Sequence, residues 1–284
     1  MSKQKSLHSQ NIHNKGYDFD VLISKYPKLE RYVVEKYGKA TIDFSNPVAV
    51  KEFNRALLFA YYGIEYWQFS DENLCPPIPG RVDYIHHIAD LVKGEQQVKV
   101  LDVGTGATCI YPLLGNAVYQ WAFVASDIDS KSLANAQKII DKNDLSKKIE
   151  LRYQKDENHI LKGIVREEDS FAVTMCNPPF YKSAEEARGA NRRKSRNLGN
   201  NAVRNFAGNS NELWYVGGEK AFLHTYLYES SLLPKASTWF TSLVSKKENV
   251  ESLQSSGKKL GVKEFKVIPM SQGNKVTRIV CWRF

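Results

Sequence analysis

Four consecutive residues, Asn177-Pro178-Pro179-Phe180, combine the groups needed to hold a flat molecule by an amino group. The Asn amide both accepts and donates hydrogen bonds. Two prolines fix φ and remove two backbone donors, so the corner is stiff and its carbonyls are pure acceptors. Phe180 adds a flat apolar face. An adenine, a cytosine or a carboxamide fits such a corner. It follows Phe171–Cys176, an apolar run that predicts a buried strand.

A second cluster lies upstream. The apolar run Val98–Val103 predicts a strand that carries Asp102 near its end, and Gly104-Thr105-Gly106-Ala107-Thr108 follows it. Gly104 and Gly106 permit positive φ and close approach of a ligand to the backbone. A third glycine, required of a dinucleotide fingerprint, is missing, which argues against a pyrophosphate ligand. Asp127 ends the next predicted strand, where a carboxylate suits ribose hydroxyls. Its alternative role is a helix N-cap, a task Asp129 or Ser130 can also fill. Asp156, after the third strand, is a candidate for contacting an adenine ring, or else ordinary loop charge.

The elements that must position these residues fall into two parts. Residues 1–16 read as a flexible basic tail, with Lys3, Lys5 and Lys15 and no acid before Asp18. Residues 17–93 read as a mainly helical extension. A helix is predicted from Pro27 through Leu29, Tyr32, Val33 and Tyr37, closed by Gly38, and another after the cap Asn46-Pro47. Tyr61, Tyr62, Tyr66, Trp67 and Phe69 read as core rather than as base-stacking residues. Pro76–Gly80 reads as rigid and non-helical, with Arg81 opening the next helix. From residue 94 to 284, strands alternate with helices. Strands are expected at 98–103, 121–126, 149–153, 171–176, 237–244, 264–268 and 276–284, and helices at 132–140, near 160–165, 219–233 and 247–256. The last two strands face each other across a Gly-Asn turn and are expected to pair antiparallel. The fold class is α/β: a Rossmann-like, doubly wound, mainly parallel twisted sheet with an antiparallel C-terminal strand. In such sheets ligands bind beyond the carboxyl ends of the strands, so the glycine turn, Asp127 and the Asn-Pro-Pro-Phe corner should rim one cleft.

Charge favours a polyanionic partner such as nucleic acid, but by itself fits an ordinary basic protein equally well. The 284-residue chain carries 40 Lys and Arg against 31 Asp and Glu, a net +9. A polar insertion at 182–217 begins directly after the tetrapeptide. Over Lys182–Arg204, Lys182, Arg188, Arg192, Arg193, Lys194, Arg196 and Arg204 oppose only Glu185 and Glu186. This segment is predicted to be a lid that grips phosphates and orders when RNA binds. The four cysteines are scattered and lack ligand spacing to the histidines, which predicts reduced thiols, no metal site and a cytoplasmic protein. The N-terminus has no apolar signal core, and no run approaches the length of a membrane span. Nothing in the chain demands more than a monomer.

These motifs resemble the class I S-adenosylmethionine-dependent methyltransferases. D-V-G-T-G at 102–106 is similar to their first motif, Asp127 to their ribose acid, and N-P-P-F to the signature shared by adenine-N6 methylases and the glutamine methylases of release factors. The blocks Leu101–Gly115, Pro77–Arg81 and Ile42–Val50 narrow the resemblance to the RlmF family of bacterial 23S ribosomal RNA adenine-N6 methyltransferases and their eukaryotic small-nuclear-RNA-methylating relatives, from about residue 17 to the end. The resemblance implies S-adenosylmethionine as cofactor, held by Arg81 at its carboxylate, by the 102–108 turn, by Asp127, by Asp156 and by Asn177. It implies 23S rRNA, or a large-subunit assembly intermediate, as substrate, and methylation of one adenine N6 with Asn177, Pro178, Pro179 and Phe180 as the catalytic corner. A release-factor glutamine methylase is a second reading, although those enzymes usually carry Tyr where this chain has Phe180. A catalytically silent RNA-binding protein is a third.

Overall fold

The computed structural model describes residues 6–179, 181–183, 185–186, 214–272 and 275–284. A seven-stranded sheet organises it, in the order β5-β4-β3-β6-β7-β9-β8. The strands are β3 (Lys99–Val103), β4 (Ala122–Asp127), β5 (Ile149–Tyr153), β6 (Phe171–Cys176), β7 (Ser237–Val244), β8 (Glu264–Gln272) and β9 (Lys275–Arg283). Strands β3 to β7 pair in parallel, and β9 runs antiparallel to both β7 and β8, as expected from the sequence. The chain winds outward from β3 through β4 to β5, then returns to the other side of β3 as β6. The strand order therefore reverses between β3 and β6, which is where such sheets open a ligand crevice.

The side chains of the strands divide between two cores on opposite faces of the sheet. Val100, Phe123, Ala125, Val173 and Met175 pack into one hydrophobic cluster, and Leu101, Val103, Val124, Phe171 and Cys176 into the other. The second cluster is closed by α6 (Gly218–Leu232) and α7 (Lys247–Lys259) through Leu223, Tyr226, Leu227, Val250 and Leu253. The first is covered by α3 (Ile78–Leu91), α4 (Ile110–Tyr119) and α5 (Ser130–Lys142). It also takes in Phe19 and Leu22 of α1 (Phe19–Lys25) and Phe53 and Leu57 of α2 (Pro47–Tyr62), so the N-terminal extension shares the core of the sheet. As expected, Asn46 caps α2 by accepting from the Val48 and Ala49 N–H groups, with Pro47 in the first turn.

Four sequence expectations are corrected. First, residues 6–16 are docked rather than a free tail. The His8 N–H donates to Asp83 Oδ1 (2.6 Å), buried Asn11 donates to the Pro79 carbonyl and Asp83, and His13 Nε2 meets the Tyr62 hydroxyl at 2.8 Å. Second, the helix expected to end at Gly38 stops at Tyr32 as a 3-10 turn, and the chain continues as a hairpin of β1 (Val33–Lys36) and β2 (Lys39–Ile42). Tyr37 and Gly38 both take positive φ (54° and 71°), as a tight hairpin turn of the right twist demands. Third, α3 begins at Ile78 and includes Pro79 and Gly80, because proline is tolerated in a first helical turn. Fourth, residues 160–165 form turns with Gly163 at φ 85° instead of a helix. Conversely, α4 was not expected. Its sequence, IYPLLGNAVY, is apolar almost all round and buried along most of its length, so it carries no amphipathic period to read.

Candidate active site

The site is built where β3 and β6 end. Val103 and Cys176 are register partners on these adjacent parallel strands, so Gly104 and Asn177 leave the sheet side by side. One cleft is lined by Gly104, Thr105, Gly106, Thr108, Asp127, Arg81, Asn177 and Pro179. The two motifs read from the sequence thus face a common space. Pro178 is buried and does not line it, and Phe180 lies outside the described residues.

The glycine turn is held from three directions. The Gly104 and Thr105 N–H groups donate to the Ser126 carbonyl (2.9 and 3.0 Å). The Gly106 N–H donates to Asp127 Oδ2 (2.8 Å). Beyond it, Asn135 donates to the Ala107 carbonyl and the Trp67 indole to the Thr108 carbonyl (2.7 and 2.9 Å). Gly104 and Gly106 have φ of 75° and 65°, a region that side chains with a Cβ rarely enter. Ala107 is buried behind the turn and does not reach the cleft.

Asp127 is not a helix cap. Asp129 caps α5 by accepting from the Lys131 N–H, which leaves the Asp127 carboxylate to the glycine turn and to the Asp129 N–H (2.9 Å). Burial raises its pKa, against the opposing pull of those backbone donors.

Asp102 lies beneath the cleft, fully buried, and burial pushes its pKa up to about 7, with the nearby Asp127 carboxylate adding to the effect. The Thr105 hydroxyl lies beside it, and this hydroxyl and both Asp102 oxygens are buried without a hydrogen-bond partner of good geometry. Arg81 reaches the cleft from the first turns of α3. Its guanidinium donates to the Tyr111 hydroxyl (2.8 Å) and lies over that ring, while its Nε is buried and unpaired. Cys176 also lines the cleft, but burial drives its pKa well up, so it stays a thiol and is no nucleophile.

Asp156 is placed off the cleft. It is exposed, and its carboxylate turns back to accept from the Asn158 backbone and side chain. Its neighbours Gln154, Glu157, His159 and Ile160 line the cleft instead. Position after the third strand was a legible signal; which side chain of the loop turns inward was not. Sequence reasoning also missed Ile128, Tyr111, Phe222 and the pair Trp214-Tyr215. That pair ends the polar insertion and was legible only as two aromatics closing a polar run. Trp214 pairs with Tyr181 in an isolated parallel bridge, and the Tyr215 N–H donates to the Tyr181 carbonyl (3.0 Å), so the chain on either side of the insertion is fastened next to the Asn177-Pro178-Pro179 corner. Lys182 is exposed there; Arg188, Arg192, Arg193, Lys194, Arg196 and Arg204 lie outside the described residues.

A family model described as RNA methyltransferase matches residues 1–284. The chain is 48% identical to ribosomal RNA large subunit methyltransferase F of Shewanella oneidensis, covering 100% of this chain and 82% of the relative. It is 46% identical to the protein of the same name from Bacteroides thetaiotaomicron, covering 100% and 99%. Among solved structures, the human METTL16 catalytic domain in complex with the MAT2A 3'UTR hairpin 1 superposes with a TM-score of 0.86 at 31% identity, over 99% of this chain and 96% of that one. The N-terminal domain of human METTL16 in complex with SAH superposes with a TM-score of 0.79 at 28% identity, over 99% of each. With a family model spanning its whole length and relatives near half identical across it, the chain belongs to the ribosomal RNA large subunit methyltransferase F family of RNA methyltransferases.

Proposed function

We propose that this chain transfers a methyl group from S-adenosylmethionine to the N6 amine of one adenine in 23S ribosomal RNA. The observation that carries this reading is the common cleft of Asn177, Pro179, the glycine turn and Asp127. The residues fit the cofactor. Arg81, with a buried Nε lacking a partner, suits its carboxylate. The unpartnered oxygens of Asp102 and Thr105 sit under the same end of the cleft and suit its ammonium group, directly or through water. Asp127 suits the ribose, and the walls formed by Ile128 and Ile160 suit the adenine. When bound, the cofactor supplies an electrophilic methyl on a positively charged sulfur.

The protein's part is alignment. Adenine N6 is a poor nucleophile because its lone pair is delocalised into the ring. The Asn177 side-chain oxygen and the Pro178 carbonyl each accept one N6 hydrogen, which turns the lone pair towards the methyl. The proline pair holds these acceptors with little reorganisation, and positioning then supplies most of the acceleration. No general base is needed before transfer, since the product cation sheds its proton afterwards. Phe180 stacks on the flipped base. The basic residues from Lys182 to Arg204 grip phosphates, which suits a substrate read by backbone more than by sequence. The protein works as a cytoplasmic monomer, on rRNA or a large-subunit assembly intermediate.

Incubation with methyl-labelled S-adenosylmethionine tests the reading. Label recovered as N6-methyladenosine in 23S rRNA is the expected result. Label in protein favours a glutamine methylase, and RNA binding without label a silent protein. Mapping N6-methyladenosine in ribosomal RNA from cells lacking the chain identifies the nucleotide.

A further inference from the structure

The wall of the cleft between Gln154 and Ile160 is an irregular loop with few backbone bonds of its own, yet four of its residues line the site. What fixes it is a side chain from α6, which packs in the same hydrophobic cluster as Ile160 and Leu161. Glu229 projects from α6, is 5% exposed, and its Oε2 accepts hydrogen bonds from three successive backbone N–H groups, those of Ile160 (3.0 Å), Leu161 (2.6 Å) and Lys162 (3.0 Å). Its Oε1 accepts from His159 Nδ1 (2.8 Å). Successive N–H groups turned to one point make an anion-binding concavity, and here the anion is the protein's own carboxylate. Gln154 fastens the loop from its other end. Its amide donates to the Lys162 carbonyl (2.9 Å) and its oxygen accepts from the Asp156 N–H (3.1 Å).

We propose that Glu229 is a positioning residue for the cofactor: by organising residues 159–162 it holds His159 and Ile160 at the height where they meet the adenosine moiety. This rests on the cofactor reading above. Glu229 does not itself line the cleft, so it acts through the loop. A carboxylate is suited to the task because both its oxygens accept and its charge meets the converging N–H groups; an amide keeps one oxygen for those groups, loses the charge and must reverse the bond to His159.

The test is Glu229→Gln in the full chain, with SAH affinity measured by calorimetry and methyl transfer to 23S rRNA measured across cofactor concentrations. The expected result is a rise of about tenfold in both the Kd for SAH and the KM for S-adenosylmethionine, with kcat at saturating cofactor within about twofold of wild type. A merely structural role lowers the melting temperature and leaves the KM where it was; that result, or a fall in kcat at constant KM, overturns the proposal. If E229Q does not fold, hydrogen exchange of the wild-type chain decides. SAH must slow exchange at the amides of 159–162 together with those of the glycine turn, and protection at the turn alone overturns it. A wild-type chain that binds no SAH sinks the cofactor reading. A wild type that binds SAH while folded E229Q binds it equally well sinks the role of Glu229 alone.

Discussion

The Oδ2 atom of Asp127 accepts a hydrogen bond from the Gly106 N–H at 2.8 Å, so the acid at the end of one strand closes the glycine turn at the end of its neighbour. The same carboxylate borders the cleft, and one group therefore shapes the turn and is available to a ribose. Asp127→Asn keeps an oxygen but loses the charge and one acceptor. We expect SAH affinity to fall by about tenfold. Calorimetry checks this, and an unchanged Kd removes Asp127 from the cofactor site.

Asn177 shares the cleft with the glycine turn, and in the proposed mechanism its main task is to hold the reacting amine. Asn177→Ala is expected to lower kcat by roughly a hundredfold or more while SAH affinity stays within about threefold of wild type, since the lost interaction matters most in the transition state. Single-turnover methyl transfer and calorimetry separate the two effects. Equal losses in both would place Asn177 on the cofactor instead.

Asp102 gives stability a pH dependence. Its folded pKa, about 7, lies above the value of about 3.9 for an unfolded Asp. The native state thus holds a proton that the unfolded chain releases first. The stability this contributes is complete below about pH 4 and is lost as pH rises towards 7. Asp102→Asn carries no titrating group there. The variant is expected to gain on wild type progressively between about pH 4 and 7, by an amount on the order of a few kcal/mol, and to track it above that range. Urea denaturation of both proteins across this range is the measurement. A pH-independent difference would mean that the carboxyl is ionised in the folded protein throughout.

Gly115 explains how closely α4 approaches the sheet. A Cβ at this position would lie 2.4 Å from the Phe123 ring of β4 and 3.3 Å from Trp121. Gly115→Ala should therefore destabilise the fold by about 1–3 kcal/mol through overpacking, although alanine is the better helix former. Thermal melting checks the sign; a stabilised variant would show that Phe123 moves aside freely.

Reversing Arg192, Arg193 and Lys194 to Glu tests the insertion. Affinity for 23S rRNA fragments is expected to fall, and the slope of log affinity against log salt to flatten by about 3, roughly one increment per lost phosphate contact. SAH affinity should not move. An unchanged salt slope would take these residues off the RNA.

The chemistry of the site was legible in the sequence because its parts are local. A stiff diproline corner, two glycines that tolerate positive φ, and acids at strand ends announce themselves within a few residues of each other, and the strands are short apolar runs whose side chains divide between two cores. Strand order, by contrast, was only constrained. That β6 returns to lie beside β3, with Val103 opposite Cys176, is a pairing between residues far apart along the chain. It is this pairing that sets Gly104 next to Asn177.

Tertiary structure alone decided the rest. Nothing local distinguishes Asp156 from Glu157 or His159; which of them faces the cleft follows from Glu229, some seventy positions later, gathering the loop's N–H groups. Helix α4 has no polar face to betray it, because both its sides are covered by protein. The N-terminal residues read as a charged, free tail, yet His8 and Asn11 find Asp83 on α3. Sequence determines which groups exist and what bonds they can make; only the fold determines which of those bonds are made, because a buried donor takes whichever acceptor packing brings within reach.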